Sequence, residues 1–360
     1  MHLQHLSILN FKNIAEAEID LCPGVNCLLG ANGMGKSNLL EAVHFLSFTR
    51  PMRAVTEQSL MVRGVYDTGY TTADTVLCSL TAGKGKKVRL NDKEYGRISE
   101  HIGRFPVVTV SPDDTDLIRG GASERRRLTD MVISQTDGAY LSTLMRYNRA
   151  LTSRNNLLRS GVRDPLLFES VETTMSEAAE AVYRRRKEWA EEIAPLFAGH
   201  YADITDGAEK ASLAYRSAMD EASPEEIFAA TRAKDEALGY TSKGIHRDDL
   251  AMALDRYPMR NLGSQGQMKT FTIALRMAIF DYVRSRTGIT PLLLLDDIFD
   301  KLDAARVAKI IRLVSDESRF GQILITDTNR RHLDETVANI GGRYSMFEVS
   351  DGVITPLASS

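Results

Sequence analysis

Cysteine, proline and tryptophan are scarce in this sequence, and long apolar runs are absent. Its 360 residues include 3 cysteines, 10 prolines and 1 tryptophan. Cys22, Cys27 and Cys78 form no C-x-x-C pair and have no histidine at metal-ligand spacing, so we interpret them as core residues in a reducing compartment. No apolar stretch approaches the roughly 18–20 residues of a membrane span, and the stretch MHLQHLSILN lacks the blocks of a secretion signal. We therefore expect a soluble, cytoplasmic protein with no membrane insertion.

A strong excess of either charge is also missing. The formal net charge is −3, and 43% of the residues are hydrophobic and 26% charged, which is typical of a globular protein. Because the overall charge gives no bulk attraction to phosphate, any nucleic-acid site must be a local basic patch. At this length the chain holds one large domain or two ordinary ones.

The spacing of apolar residues changes twice along the chain. Residues 1–110 predict short strands with one helix at 36–48, and a helical period then continues to about residue 238. Strands and helices alternate again afterwards. The pattern predicts an α/β lobe formed by residues 1–115 and 240–360, with an α-helical lobe inserted at 116–239. The heptads are too few for a long coiled coil.

The stretch GANGMGKS at residues 30–37 fits the pattern G-x-x-x-x-G-K-[ST] in full. It follows a buried-strand pattern and opens a helix, as a phosphate-binding loop requires. Its backbone N–H groups would face phosphate oxygens, with Lys36 reaching the β- and γ-phosphates and Ser37 binding Mg²⁺. We therefore predict that the chain binds a nucleoside triphosphate. The predicted contact residues here are Gly30, Ala31, Asn32, Gly33, Met34, Gly35, Lys36, Ser37 and Asn38.

Two carboxylates end the apolar stretch PLLLLDD at residues 291–297. Four consecutive leucines predict a strand buried on both faces, and ligands of parallel sheets gather at the carboxyl ends of the strands. We assign Asp296, with Ser37, to the magnesium site, through water. Asp297 is predicted to orient or deprotonate the attacking water, so that Asp297 and Lys36 are the predicted catalytic residues. Capping of the next helix is the alternative role of Asp297.

A second helix start of phosphate-binding size precedes the helix predicted near 266–286. It contains Gly263, Ser264, Gln265 and Gly266 but no lysine. Because one nucleotide does not need two such helix ends from the same subunit, we predict that these residues contact a nucleotide held by another copy. An ordinary helix cap is the alternative.

The order of these motifs resembles the ATP-binding-cassette ATPase head. In that comparison residues 263–267 look like the signature motif, Asp296 like the Walker B aspartate, residues 300–303 like the D-loop and residues 325–327 like the switch region. Asp297 replaces the usual catalytic glutamate, and Thr326 or Asp327 stands where a switch histidine is usual. Both departures imply slow hydrolysis.

Within that superfamily the sequence resembles the RecF family of recombination mediators along most of its length. The stretches that carry the resemblance are LSILNFKNI, NGMGKSNLLEAVHFLS, SPDDTDLIRGGASERRRLTD, HRDDL and LLLLDDIFDKLD. The resemblance implies an ATP-dependent homodimer on double-stranded, gapped or junction DNA and a weak, DNA-stimulated, magnesium-dependent ATPase. It also implies work with RecR and RecO in bringing recombinase to single-strand gaps, and it places Lys12 and Asn13 near the nucleotide base.

Arg125, Arg126 and Arg127 are the DNA-binding candidates. Contact with phosphate, of nucleotide or DNA, is one interpretation of this basic run, and a solvated helix face is the other. For His246, in the HRDDL stretch, we expect a structural role.

Other proteins share parts of this pattern. A transporter ATPase subunit has the same cassette but normally carries the glutamate and the histidine that are replaced here. A chromosome-maintenance or Rad50-like head needs a far longer heptad segment between its two nucleotide-binding halves. A scaffold that uses ATP only to join two copies stays open as an alternative.

Overall fold

The computed structural model describes residues 1–52, 59–69, 72–83, 85–300, 302–316, 319–338 and 343–359. The strands within them are β1 (His2–Phe11), β2 (Ile14–Asp20), β3 (Val25–Leu29), β4 (Leu60–Asp67), β5 (Asp74–Thr81), β6 (Gly85–Leu90), β7 (Lys93–Glu94), β8 (Val107–Val110), β9 (Ala211–Arg216), β10 (Asp249–Leu254), β11 (Tyr257–Pro258), β12 (Leu292–Asp296), β13 (Ile323–Asp327), β14 (Tyr344–Ser350) and β15 (Val353–Ser359). The α-helices are α1 (Lys36–Phe48), α2 (Asp116–Arg119), α3 (Ala122–Thr136), α4 (Gly138–Arg159), α5 (Pro165–Thr205), α6 (Pro224–Leu238), α7 (Met259–Leu262), α8 (Gln265–Thr287), α9 (Ala304–Val314) and α10 (Arg330–Ala338).

The chain divides into two compact units. Unit 1 comprises Met1–Asp114, Ile204–Asp206 and Ser264–Ser360, and unit 2 comprises Thr115–Asp203 and Gly207–Gly263. The structure thus moves the predicted second boundary from residue 240 to residue 264. The physical reason is that β10 pairs antiparallel with β9, which keeps residues 240–263 with the insertion.

Unit 1 is built on two six-stranded sheets. One is antiparallel, with strand order β2-β1-β4-β5-β6-β7, and the other has the order β15-β14-β3-β13-β12-β8. In the second sheet β14, β3, β13, β12 and β8 are parallel, and β15 returns antiparallel to β14. Parallel strands bring their carboxyl ends to one edge, so β3, β12 and β13 present Leu29, Asp296 and Asp327 there.

The core of unit 1 explains why its central elements are so apolar. Leu39, Leu40, Val43 and Leu46 of α1 are fully buried in one cluster with residues of both sheets. All four leucines of β12 are also fully buried, as expected for a central strand covered on both faces. Burial of each such side chain contributes about 1.5–3 kcal/mol, which fixes α1 and β12 and therefore the loops at their ends.

Unit 2 is mostly helical, but a three-stranded sheet of order β11-β10-β9 belongs to it. The prediction of helix throughout this insertion was wrong at β9, where burial alternates with a period of two. Its longest helix, α5, contains Pro195 and continues beyond it to Thr205. Among the described residues no helix has the length and apolar content to cross a membrane, and no long coiled coil projects from either unit.

Candidate nucleotide site

The loop between β3 and α1 begins at the carboxyl end of a central parallel strand. Gly33 and Gly35 have φ angles of +83° and +112°, in the left-handed region that favours glycine. Gly30 lies so close to β14 that an added Cβ would stand 2.3 Å from the Val349 carbonyl oxygen. The loop therefore needs glycine at three positions for two different physical reasons.

Lys36 begins α1, and its side chain turns back into this loop. Its Nζ donates hydrogen bonds to the carbonyl oxygens of Gly30 at 2.6 Å and Ala31 at 2.9 Å. Burial lowers the pKa of the ammonium group, and three nearby carboxylates oppose that shift. A cation is thus held inside the loop by its own backbone, where phosphate oxygens would meet it.

Asp296 at the end of β12 meets the hydroxyl that follows Lys36. Ser37 Oγ donates to Asp296 Oδ1 at 2.8 Å, and Thr326 Oγ1 donates to the same oxygen at 2.8 Å. Hydroxyl and carboxylate oxygens are the hard ligands that Mg²⁺ prefers, so Ser37 and Asp296 fit a magnesium site. The described residues contain no cluster of three or more His, Cys, Asp or Glu that could hold a metal ion. Such a cluster is not needed, because a magnesium ion shared with substrate phosphates takes only one or two protein carboxylates.

The backbone of Asp297 is held from both sides in a strained conformation. Its φ is +49°, its N–H donates to Thr326 Oγ1 at 3.0 Å, and its carbonyl accepts from Lys269 Nζ at 2.8 Å. A non-glycine residue in this region stores about 1–3 kcal/mol and persists only where its surroundings fix it. Burial raises the pKa of the Asp297 carboxyl, and Asp327 raises it further. The next helix, α9, is capped by Asp303 instead, so the capping alternative for Asp297 does not hold.

The switch region contains a histidine that sequence analysis missed. Asp327 Oδ2 lies 2.8 Å from Nδ1 of His332, which α10 carries, and the His332 ring packs edge-on against Phe299 at 5.2 Å between centroids. The predicted replacements for a switch histidine therefore differ: Thr326 bridges the two neighbouring aspartates, whereas Asp327 pairs with a histidine. The stretch TDTNRRHLD carries the signal that could have found this pair. Lys301 of the expected D-loop lies outside the described residues.

Both residues expected near the nucleotide base, Lys12 and Asn13, contact the loop or its helix. Asn13 Nδ2 donates to the Gly33 carbonyl at 3.4 Å, and Asn13 Oδ1 accepts from Asn38 Nδ2 at 2.7 Å. Lys12 forms an ion pair with Glu41 of α1. The structure therefore brings Lys12, Asn13 and Asn38 together beside the loop.

A hairpin from the other end of the sequence also supports the loop. Gly352, in the turn between β14 and β15, donates its N–H to the Met34 carbonyl at 2.9 Å. An added Cβ at Gly352 would stand 2.3 Å from the Asn13 carbonyl oxygen, and the residue has a φ of +79°. The amino-acid sequence did not predict this contact, because a backbone hydrogen bond leaves no pattern in the side chains.

Ser264 caps α8 in the structure. Its Oγ accepts from the Gln267 N–H at 3.2 Å, and the Gln267 side chain accepts from the Ser264 N–H at 2.8 Å, which is a complete capping box. Ser264 and Gln265 are exposed, and Gly266 is half-buried. Gly263 precedes them at the end of unit 2. Within the described part of the chain the Ser264 hydroxyl forms a hydrogen bond only with Gln267. Ser264 is therefore a helix cap, and its contact with another copy stays a prediction.

The arginine run does not form a common exposed surface. Arg125 makes a two-point ion pair with Asp249, at 2.6 and 3.0 Å, and also donates to two carbonyls. Arg126 donates to the Asp248 carbonyl at 2.6 Å, whereas Arg127 is exposed. The side chains of Arg125 and Arg126 thus connect α3 to the HRDDL segment, whereas the structure gives Arg127 no such role. Contact of these three arginines with DNA stays a prediction.

The remaining HRDDL residues also have structural partners. His246 Nδ1 lies 2.7 Å from the Tyr147 hydroxyl and Nε2 lies 3.0 Å from the Thr241 carbonyl, so a neutral ring that accepts at Nδ1 and donates from Nε2 satisfies both. Burial lowers the pKa of His246 to about 4. Asp248 accepts from Tyr215 and faces the buried Arg186. The segment thus supports the packing of unit 2, as expected for His246.

The parallel sheet, the loop with Lys36 and Ser37, the strand-end aspartates and the capped helix α8 together define an ABC-type P-loop ATPase head. A family model described as the RecF/RecN/SMC N-terminal domain matches residues 2–354. The DNA replication and repair protein RecF of Parabacteroides distasonis is 45% identical, covering 99% of this chain and 100% of that protein. RecF of Porphyromonas gingivalis is 46% identical, with 98% and 100% covered. The chain belongs to the RecF family.

Solved structures give the same result. The recombination mediator protein RecF in the RecFOR pathway, with ATP, superposes with a TM-score of 0.88 at 26% identity, over 99% of this chain and 98% of that one. An Smc head bound to the winged-helix domain of ScpA matches with a TM-score of 0.58 at 16% identity, over 100% and 98% of the two chains, and shows the fold alone.

Proposed function

We propose that this protein binds ATP, pairs with a second copy around two ATP molecules on DNA, and hydrolyses the ATP slowly. The observation that carries the proposal is the convergence of Lys36, Ser37 and Asp296 at the carboxyl edge of one parallel sheet. Membership in the RecF family supports the setting of DNA replication and repair. The RecFOR pathway named for the solved relative supports RecR and RecO as partners at gapped DNA.

Different residues bind the phosphates, hold the metal ion and activate the attacking water in this proposal. Lys36 and the N-terminus of α1 neutralise charge on the β- and γ-phosphates, while Asn13 and Lys12 lie on the side expected to face the base. A magnesium ion held by Ser37 and, through water, by Asp296 would supply further charge neutralisation. Asp297 orients the attacking water and accepts its proton. Its burial keeps a carboxylate poorly solvated and therefore a stronger base.

The pairing of two copies rests on α8. Its exposed N-terminus offers Ser264, Gln265 and Gly266, preceded by Gly263, as a second anion-binding helix end in a chain that already has a complete phosphate loop. In a two-fold pair, each γ-phosphate would meet Lys36 of one copy and Ser264 of the other. ATP then becomes part of the interface, and loss of the γ-phosphate releases the pair.

Sedimentation with ATP, ADP or no nucleotide, with and without gapped duplex DNA, tests the proposal. We expect a dimer only with ATP, and phosphate release stimulated by DNA. In Ser264→Arg, ATP binding by the monomer should persist while dimerisation and hydrolysis are lost, because a bulky cation blocks the contact. Ser223→Arg is the matched control, since Ser223 is an exposed cap with the same capping box on α6.

Each outcome selects among the candidate functions. Dimerisation by Ser264→Arg at wild-type concentration contradicts the shared site. An ATP dimer without any phosphate release favours a non-hydrolysing scaffold. ATP hydrolysis whose rate is unchanged by DNA and that does not accompany dimerisation points to another ABC-type ATPase, such as a transporter subunit.

Substitution of Lys36 tests the nucleotide site itself. Lys36→Met should weaken ATP binding about 10- to 100-fold, since charge-assisted hydrogen bonds contribute about 1.5–3 kcal/mol.

A further inference from the structure

Lys269 lies in the second turn of α8 and connects this helix to the turn after β12. Its Nζ donates to the Asp297 carbonyl at 2.8 Å and to the Asp300 carbonyl at 2.7 Å. An ammonium group has three hydrogen-bond donors and no acceptor, so one lysine can donate to two carbonyls of an irregular segment. Lys269 thereby contacts the backbone of the residue to which we assign the attacking water.

The turn that Lys269 contacts is irregular backbone, with the side chains of Ile298 and Phe299 buried beneath it. Residues 297–300 belong to neither β12 nor α9, and the Asp297 backbone is in the left-handed region. The Thr326 hydroxyl holds the N–H of Asp297 from the side of β13, and Lys269 holds its carbonyl from the side of α8. Because the two bonds lie on either side of one residue, a displacement of α8 would change the direction of the Asp297 side chain.

The helix that carries Lys269 is itself firmly fixed further along. Arg276 makes a two-point ion pair with Asp114, at 3.0 and 2.6 Å, and Phe271 and Leu275 are fully buried. The N-terminal turn, by contrast, is exposed at Ser264 and Gln265. Lys269 follows Ser264 by five residues, so little more than one turn of continuous helix connects the exposed cap to the ammonium group.

We propose that Lys269 is a positioning residue that couples the N-terminus of α8 to Asp297, so that contact with a second copy at Ser264 aligns the carboxylate for hydrolysis. The inference rests on the proposed function and deepens it, since it names the residue through which pairing controls the reaction. Lys269 itself touches backbone carbonyls, and its effect on the reaction passes through Asp297.

The test is Lys269→Met, which keeps the aliphatic stem and removes the ammonium group. We expect ATP affinity and ATP-dependent dimerisation equal to wild type, with KM unchanged and kcat lowered about 10- to 100-fold, as for small displacements of reacting groups. Lys269→Arg should recover much of the lost kcat, because a guanidinium can also donate to two carbonyls. Arg284→Met is the matched control: Arg284 lies on the same helix and donates to the Arg319 carbonyl at 2.8 Å.

The outcomes separate this inference from the proposal beneath it. A kcat loss in Lys269→Met alone, with dimerisation and thermal midpoint retained, supports the coupling. Wild-type kcat in Lys269→Met, an equal loss in Arg284→Met, or a parallel loss of ATP affinity and dimerisation overturns the coupling while the proposed function stands. A wild-type chain that neither dimerises nor hydrolyses ATP overturns both.

Discussion

At the scale of single residues, Asp296 and Asp297 are neighbours with different surroundings. Asp296 is buried and accepts hydrogen bonds from two hydroxyls, which fix the position of its carboxyl group beside the expected metal site. Asp297 has its backbone fixed, and burial raises its pKa. These surroundings fit the two proposed roles, metal binding for Asp296 and activation of the attacking water for Asp297.

Substitution by asparagine should separate these two roles. We expect Asp296→Asn to weaken magnesium-dependent ATP binding, whereas Asp297→Asn should bind ATP normally and accumulate a long-lived ATP-bound dimer with phosphate release reduced about 100-fold or more. Calorimetry and single-turnover phosphate release measure both effects. Asp137→Asn is the control, since Asp137 caps α4 outside the nucleotide motifs and asparagine caps a helix as well as aspartate. Hydrolysis at the wild-type rate by Asp297→Asn would move the base to another residue.

Sequence predicted some of these residues and missed others for a physical reason. The loop at 30–37, Asp296 and Asp297 have side chains or glycines that the chemistry itself requires, so they leave a pattern. Lys269 and Gly352 act through backbone carbonyls, and any residue can supply a carbonyl. His332 pairs with Asp327 only because α10 turns the chain back toward the end of β13.

At the scale of elements, the strongly patterned segments matched prediction. Helices α1 and α8 and strand β12 lie where the sequence placed them, because their burial pattern is set by the layers that cover them. Strand β9 was missed because its six residues lie between helical segments. Pro195 does not end α5, because tertiary packing of the buried helix face outweighs the loss of one backbone hydrogen bond.

The close approach of the loop to β14 gives an element-scale prediction. An added methyl at Gly30 would stand 2.3 Å from the Val349 carbonyl oxygen, so Gly30→Ala must displace the loop from the sheet. We expect a loss of about 1–3 kcal/mol in the free energy of unfolding, together with weaker ATP binding. Gly83→Ala is the control, because Gly83 has a φ of +70° and open space around it. It should cost about 1–2 kcal/mol without any change in ATP affinity. Equal ATP affinity in both variants and wild type would contradict the argument.

At the scale of the whole molecule, the three arginines at 125–127 differ in their surroundings, although they are adjacent in the sequence. The net charge of −3 leaves DNA binding to local patches. Two of the three arginines are engaged inside unit 2, and only Arg127 is exposed. A run of like charges in a sequence does not reveal which members find carboxylates or carbonyls in the folded protein, because those partners are distant along the chain.

Single substitutions in this run should therefore have separate effects. Arg127→Ala should reduce the dependence of duplex DNA binding on salt by about one unit, with an unchanged thermal midpoint. Arg125→Ala should lower the free energy of unfolding by about 1–3 kcal/mol, because it leaves Asp249 without its charged partner, and should not change the salt slope. Titrations at several salt concentrations and thermal unfolding measure the two effects. A salt slope that is unchanged in Arg127→Ala and lower in Arg125→Ala would reverse the assignment.

The strand order of the parallel sheet also decides when the site can form during synthesis. β3 lies between β13 and β14, so the loop that it carries has neither neighbouring strand until the ribosome has added about 290 further residues. At about 5–20 residues per second this interval lasts roughly 15–60 s. The hairpin turn at Gly352 emerges later still. The nascent chain must therefore keep the apolar faces of β3 and α1 from aggregating without help from nucleotide, and ATP can stabilise the molecule only after translation is nearly complete.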